Sequence, residues 1–106
     1  MKTKATHEHD VKAAHASSST WIDLTIERLD GTVEKERIAK EINKLAEFHD
    51  ALMTLSDLVT DAALKASRQG AHKIVAYTPC HGGLIACAED NGRGFNLIKL
   101  GRSAQG

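Results

Sequence analysis

Proline, cysteine and aromatic residues are scarce in this chain of 106 residues, which has one proline, two cysteines, one tryptophan, one tyrosine and two phenylalanines. Two cysteines are too few for a disulfide scaffold, and no charged-then-apolar leader begins the chain, so we expect a reducing, cytoplasmic location. The longest apolar runs, such as GLIACA, are far shorter than the ~20 residues of a membrane helix. We therefore expect no membrane partner.

A net charge is also absent, since 14 Lys and Arg balance 14 Asp and Glu. The balance is uneven along the chain: residues 22–61 hold ten acidic residues and five Lys or Arg, whereas residues 62–106 hold two and six. This distribution predicts one acidic and one mildly basic side. The neutral total argues against strong binding to duplex DNA, because neutralising phosphates takes many basic residues.

The N-terminal third predicts a polar tail followed by a strand. Residues 1–18 are rich in Ala, Ser and His without a periodic apolar face, and we expect a mobile tail. From Trp21, the stretch WIDLTIERL alternates apolar and polar residues, which predicts a half-buried strand. We expect one domain over residues 19–101 and a frayed C-terminus over 102–106.

Residues 33–69 contain neither proline nor glycine, and their apolar residues recur at helical spacing. This pattern predicts a long helix with Thr32 as its N-cap and Gly70 as its C-cap. A continuous helix of this length would extend about 55 Å, well beyond strands of about 23 Å. Either the helix breaks near residues 48–51, or its overhang pairs with a second copy in a homodimer. The heptad positions for such pairing are Ile38, Leu45, Leu52, Val59 and Ala66 on one side, and Ile42, His49, Ser56 and Ala63 on the other.

The last third predicts a three-stranded antiparallel meander of HKIVAYT, GLIACAE and RGFNLIKL. Asn91-Gly92 has the residue types of a two-residue type I′ hairpin turn. The predicted fold class is therefore α+β: an N-terminal strand, a long or broken helix, and then three strands, with the helix on one sheet face.

The motif DNGRGF at residues 90–95 resembles the first glycine box of the GHKL ATPases, whose Asp binds the adenine amino group. The preceding run is similar to that family's helix and strand, with Asp57 and Asp61 at its Glu and Asn positions. The resemblance implies a nucleotide-binding fragment. It covers about 40 residues, and the chain ends before a second glycine box or a lid.

RGFNLIKL also resembles the aromatic strand of the RNA-recognition motif, with leucines at two aromatic positions. Aromatic and basic side chains together can hold single-stranded nucleic acid. The candidate nucleic-acid-binding residues are Lys73, Tyr77, Arg93, Phe95, Lys99 and Arg102.

Histidines and cysteines form two loose groups, His7, His9, Asp10 and His15 in the tail, and Cys80, His81 and Cys87 near the last strands. Neither group has paired metal-ligand spacing, and no third group is evident to orient a Cys–His pair. We expect no structural metal, no cofactor and no catalytic residue.

In size and layout the chain resembles the small anti-defence proteins of phages and plasmids, notably anti-CRISPR proteins. The resemblance implies a non-enzymatic inhibitor that binds a protein or nucleoprotein complex, either on its protein surface or at its single-stranded nucleic acid. An acidic helix carrying partner-binding residues could mimic phosphates; its candidates are Glu34, Glu41, Glu47, Asp50 and Asp57. A small regulatory adaptor remains an alternative.

Overall fold

The computed structural model describes residues 17–103, which form a five-stranded antiparallel sheet with a single helix across one face. The elements are β1 (Ser17–Arg28), β2 (Val33–Asn43), α1 (Glu47–Ala66), β3 (Ala71–Thr78), β4 (Leu84–Asp90) and β5 (Phe95–Arg102). The order across the sheet is β2-β1-β3-β4-β5, so β2 and β5 are its edges. The predicted α+β class is confirmed, and three strands follow the helix, but two strands rather than one precede it.

The core lies between α1 and the central strands. Ile22 pairs with Ile38, and Leu24 pairs with Ala76, so alternate residues of neighbouring strands share the face that α1 covers. The core is made of buried residues from the three central strands, from β2 and from the facing side of α1: Ile22, Leu24, Ile42, Ala51, Leu55, Val59, Ala62, Ala63, Ile74, Ala76, Leu84, Ala86 and Ala88. The alternation predicted for the first strand is confirmed, and so is the helical spacing of the apolar residues from Leu55 to Ala66.

The helix predicted to begin at Val33 is wrong, because Val33–Asn43 is strand β2. Asp30 and Gly31 form the turn that connects β1 to β2. The Gly31 amide donates to the Arg28 carbonyl (3.0 Å), and the backbone amide and hydroxyl of Thr32 both donate to Asp30 Oδ1. Thr32 is therefore a turn residue and not an N-cap. Eleven residues of β2 pair with β1, and this pairing overrides the helix propensity of its Glu, Lys and Arg residues.

The helix α1 has 20 residues, or about 30 Å, so the predicted overhang does not exist. Gly70 ends the following 3-10 turn with φ of 80°, which confirms it as the C-terminal cap. Ile42, Val59, Ala63 and Ala66 are buried within their own chain. The heptad positions expected to hold a second helix therefore do not form a free surface.

The loop between β4 and β5 joins two strands, as the hairpin prediction required, but it has four residues rather than two. Asp90 pairs with Phe95, and the Asn91 amide donates to the Gly94 carbonyl (3.2 Å). Among described non-glycine residues only His81 has a positive φ, so the type I′ turn predicted at Asn91 is wrong. At the chain ends, β1 already begins at Ser17, and Arg102 belongs to β5.

Candidate interaction surfaces

The sheet has one covered face and one open face. The open face is the side away from α1, and within residues 17–103 no element lies across it. Cross-strand partners share a face, and the pairs Asp23–Tyr77 and Asp23–Arg37 place these three residues together on it. Trp21, two residues before Asp23 in β1, lies on the same side.

Trp21 and Arg37 form the most prominent feature of the open face. Trp21 is 51% exposed, and the Arg37 guanidinium carbon lies 5.4 Å from the centroid of its ring. Arg37 Nε donates to Asp23 Oδ1 (2.8 Å), and Arg37 Nη2 donates to Asp23 Oδ2 (3.4 Å). The carboxylate thus fixes the guanidinium over the indole, and it raises the pKa of Arg37 through the hydrogen bond and the attraction of opposite charges.

Tyr77 lies next to this pair in a shallow depression of about 490 Å³ that Asp23, Thr25, Lys35 and Arg37 also line. Trp21 was not among the binding residues predicted from the sequence. The alternation of β1 indicates the exposure of Trp21, because residue 21 points to the opposite side of the strand from the buried Ile22 and Leu24.

The six residues predicted to bind nucleic acid are not brought together on one surface. Lys73, Tyr77 and Lys99 lie on the open face, since they pair with Glu89, Ile85 and Cys87 respectively. Arg93 lies in the exposed loop before β5. Phe95 packs against the core under α1, and Arg102 pairs with Leu84 on that same side.

A β-bulge in β5 places the candidate nucleic-acid-binding residues of this strand on different faces of the sheet. The ladder pairs Leu97 with Ala88 and Lys99 with Cys87, leaving Ile98 without a partner of its own in β4. Lys99 therefore lies on the opposite face from Phe95 and Leu97. Arg93, Phe95 and Lys99, which are separated by even numbers of residues, therefore do not share one strand face.

Charges on the open face alternate in sign. Lys73 pairs across strands with both Glu27 and Glu89, and its Nζ lies 3.9 Å from Glu89 Oε2. Lys35, Arg37, Lys73 and Lys99 are matched by Asp23, Glu27, Glu41 and Glu89 on this face. Such a surface has no excess of positive charge to hold phosphates.

The five predicted acidic residues are divided between two elements, so the expected acidic row along one helix is wrong. Glu34 and Glu41 belong to β2, and Glu34 accepts a hydrogen bond from Arg28 (2.7 Å). Glu47, Asp50 and Asp57 belong to α1, where Asp50 Oδ2 accepts from the Asn43 amide (2.7 Å). Asp50 thus ties the end of β2 to the start of the helix.

A second surface, which we call the β5–α1 surface, runs along edge strand β5 and the adjacent flank of α1. Phe48 lies at one end, where the Arg102 guanidinium carbon is 5.1 Å from its ring centroid. Leu64 lies at the other end, beside a groove of about 280 Å³ that Phe95 and Leu97 also line. The large apolar side chains exposed along this surface are Phe48, Leu64, Leu97, Ile98 and Leu100.

A cavity of about 310 Å³ near the C-terminal end of β3 is lined by Cys80, His81 and Glu47. The Cys80 thiol is hydrogen-bonded with the Thr20 hydroxyl, whereas His81 Nε2 faces Glu47 Oε2 at 3.8 Å. A nucleophilic cysteine needs a base that faces its sulfur, and this arrangement pairs each group with a different partner. Across residues 17–103 no group of three or more His, Cys, Asp or Glu is placed to hold a metal. The tail histidines lie outside the described residues.

The loop that resembles a GHKL glycine box does not lie beside Asp61, the residue at the Asn position of that family. Asp90 Oδ1 accepts a hydrogen bond from the Gly92 amide inside the loop (2.8 Å). Asp61 is paired with Lys65 (3.0 Å) and lines depressions with β2 residues, whereas Gly94 lines the groove beside β5. Helix α1 therefore separates the two halves of the motif.

The described residues form a one-helix, five-stranded α+β domain with an exposed tryptophan on its open face and exposed apolar side chains along edge strand β5. The chain matches no model of a known protein family, no curated protein and no solved structure. No helix in the described part is long and apolar enough to cross a membrane.

Proposed function

We propose that this protein is a non-enzymatic inhibitor that binds a partner protein through its open face, with Trp21, Arg37 and Tyr77 as the anchor residues. The observation that carries the proposal is the exposed Trp21 ring with a guanidinium fixed above it. Tryptophan, tyrosine and arginine are the residue types that most often dominate binding energy at protein interfaces.

The geometry favours a prearranged contact. Because Asp23 already holds Arg37 over Trp21 (2.8 Å), these side chains lose little rotamer freedom when a partner docks. The alternating charges of the open face suit a partner surface with matching alternation. They support a protein surface better than a nucleic-acid backbone.

The partner class that we propose is a nucleoprotein surveillance complex of the CRISPR type, blocked on its protein surface. The support is the small size, the placement of Cys80 and His81 against different partners, and the likeness in layout to anti-defence proteins. The proposed location is the cytoplasm, where such complexes act.

A phage-plating assay tests this proposal. Bacteria that carry a CRISPR system with a matching spacer would express the full chain, one system type at a time. We expect phage plating to rise with at least one type, and Trp21→Ala to reduce the effect, since loss of an anchor weakens binding by about 30-fold. Leu29→Ala removes a side chain that is 80% exposed in the β1–β2 turn and serves as the matched control.

An electrophoretic shift assay distinguishes the nucleic-acid alternative. If wild-type protein shifts single-stranded oligonucleotides and Lys99→Glu abolishes the shift, the open face binds nucleic acid instead. Arg102→Glu on the opposite face should then have no effect. If the protein protected phage against none of the system types, the proposed partner class would be overturned.

A further inference from the structure

The two edges of the sheet differ in chemistry. Edge strand β2 carries Glu34, Lys35, Glu36, Arg37, Lys40 and Glu41 within eleven residues, and dense charge is a known protection against strand pairing. Edge strand β5, by contrast, has only two charged residues, Lys99 and Arg102. It exposes Leu97, Ile98 and Leu100 by 45%, 55% and 40%. An unpaired edge with exposed apolar residues is a template for another strand.

The flank of α1 beside β5 shows the same contrast. The groove next to β5 is lined from the helix by Val59, Thr60, Ala63, Leu64 and Ser67, none of which is charged. The opposite flank, beside β2, carries Asp57, Asp61 and Lys65. Depletion of charge distinguishes the centre of protein interfaces from the remaining surface, and of the two flanks of α1 only the one beside β5 shows it.

We propose that the β5–α1 surface binds a second copy of this chain, with the two β5 strands paired antiparallel into one ten-stranded sheet. This inference goes beyond the inhibitory role and does not depend on it. In a two-fold interface the same surface patch of both copies meets, so the patch must be complementary to itself. On the side that α1 covers, the exposed Leu97 and Leu100 meet this condition without like-charge repulsion.

The bulge makes β5 self-complementary. Leu97 and Leu100 lie on the face that α1 covers, since they pair with Ala88 and Ala86. With the two-fold axis between Ile98 and Lys99, Leu97 of one copy lies opposite Leu100 of the other on this face. Phe95 then lies opposite Arg102 of the second copy, which can repeat the stacking that Arg102 makes on Phe48.

The exposed area is of the right order for a dimer. At roughly 200 Å² for a fully exposed large side chain, the five apolar residues of the surface, which are 40% to 75% exposed, present about 500 Å². A stable interface buries about 800 Å² per partner, and the β5 backbone and neighbouring polar residues supply the remainder. The free backbone groups of β5 add hydrogen bonds that an apolar patch alone would lack.

Sedimentation of the full chain over a range of micromolar concentrations tests the inference. We expect the wild type to sediment as a dimer. Leu97→Lys with Leu100→Lys should weaken the dimer by about 100-fold or more, because the axis would bring four like charges together. The matched control adds two lysines to the other edge, as Val33→Lys with Ala39→Lys, and should leave the dimer intact.

Circular dichroism establishes that each variant is folded. If the β5 variant does not fold, amide hydrogen exchange of the wild type decides instead: the β5 amides should exchange more slowly as protein concentration rises. A wild type that is monomeric at all concentrations would overturn the inference, as would a β5 variant that is folded and still dimeric. Amide exchange in β5 that does not change with protein concentration would also overturn it.

Discussion

Leu97 and Leu100 are three residues apart in β5, yet their side chains lie on the same face of the sheet, because their partners Ala88 and Ala86 are two apart in β4. The odd spacing is absorbed at Ile98, which has no partner of its own. A single extra residue thus determines which side chains of the edge strand lie beside α1 and which lie on the open face.

Deleting Ile98 should leave the fold intact. The deletion restores regular alternation, so Leu97 and Leu100 keep their face, and we expect the free energy of unfolding to change by about 1 kcal/mol or less. Deleting Asn96 is the matched control: Phe95 would move to the face opposite its core contacts, at a cost of about 2 kcal/mol. Urea titration measures both. Equal losses of stability would contradict this account of the bulge.

Gly83 and Gly70 should respond differently to asparagine. Gly70 has φ 80° and ψ 15°, the left-handed conformation that asparagine tolerates, and a Cβ there would meet no atom within 4 Å. Gly83 has φ 98° and ψ 111°, and a Cβ would meet the Tyr77 hydroxyl at 3.4 Å. We expect Gly83→Asn to lower the free energy of unfolding by about 1–3 kcal/mol and Gly70→Asn to lower it less. Thermal unfolding of both variants provides the measurement, and the reverse order would refute the assignment of strain.

Asp30 should titrate below the ordinary range of aspartate. Hydrogen bonds from the Thr32 hydroxyl and amide, with a smaller contribution from Arg28, lower its pKa. Because the folded-state pKa is depressed, its contribution to stability is present above the ordinary pKa of about 4 and is lost as pH falls through the folded-state pKa. Thr32→Val removes the largest cause and should raise the Asp30 pKa, as followed by carboxyl-carbon NMR. Thr25→Val, which does not touch Asp30, should leave it unchanged.

The two cysteines should differ in reactivity. Cys87 is buried between charged neighbours on the open face, and burial raises the pKa of its thiol, which lowers the thiolate fraction. Cys80 is only half-buried. Alkylation of the folded protein should therefore show one fast thiol, which Cys80→Ser removes and Cys87→Ser keeps. A fast phase that disappears with Cys87→Ser would refute this order.

The sequence predicts those parts of the fold in which one local signal acts alone. The alternation around Ile22 and Leu24 gives β1, and Gly70 gives the end of the helix. Residues 33–43 carry two competing signals, because Glu, Lys and Arg favour a helix while Asp30-Gly31 favours a hairpin. The pairing with β1 decides between them, and that pairing is a tertiary effect.

The candidate surfaces were harder to predict for a related reason. The bulge at Ile98 has no glycine or proline to mark it, so the faces of β5 could not be assigned from the sequence. Arg37 lies within the segment that was predicted to be a helix, and only the register of β1 with β2 brings it together with Trp21.

The strand order also has a consequence for how the chain folds. The β1–β2 hairpin and the β3–β4–β5 meander each pair only strands that are consecutive in the chain, so each can form quickly. They are joined through β1 and β3, whose partners Leu24 and Ala76 are about 50 residues apart, and contacts of such separation slow folding because the loop must close first. Substitutions at this junction should therefore change the folding rate, whereas substitutions at the two edges should act mainly on unfolding. Two separately produced fragments, divided in the turn after Asn43, should accordingly be able to reassemble at the junction of β1 and β3.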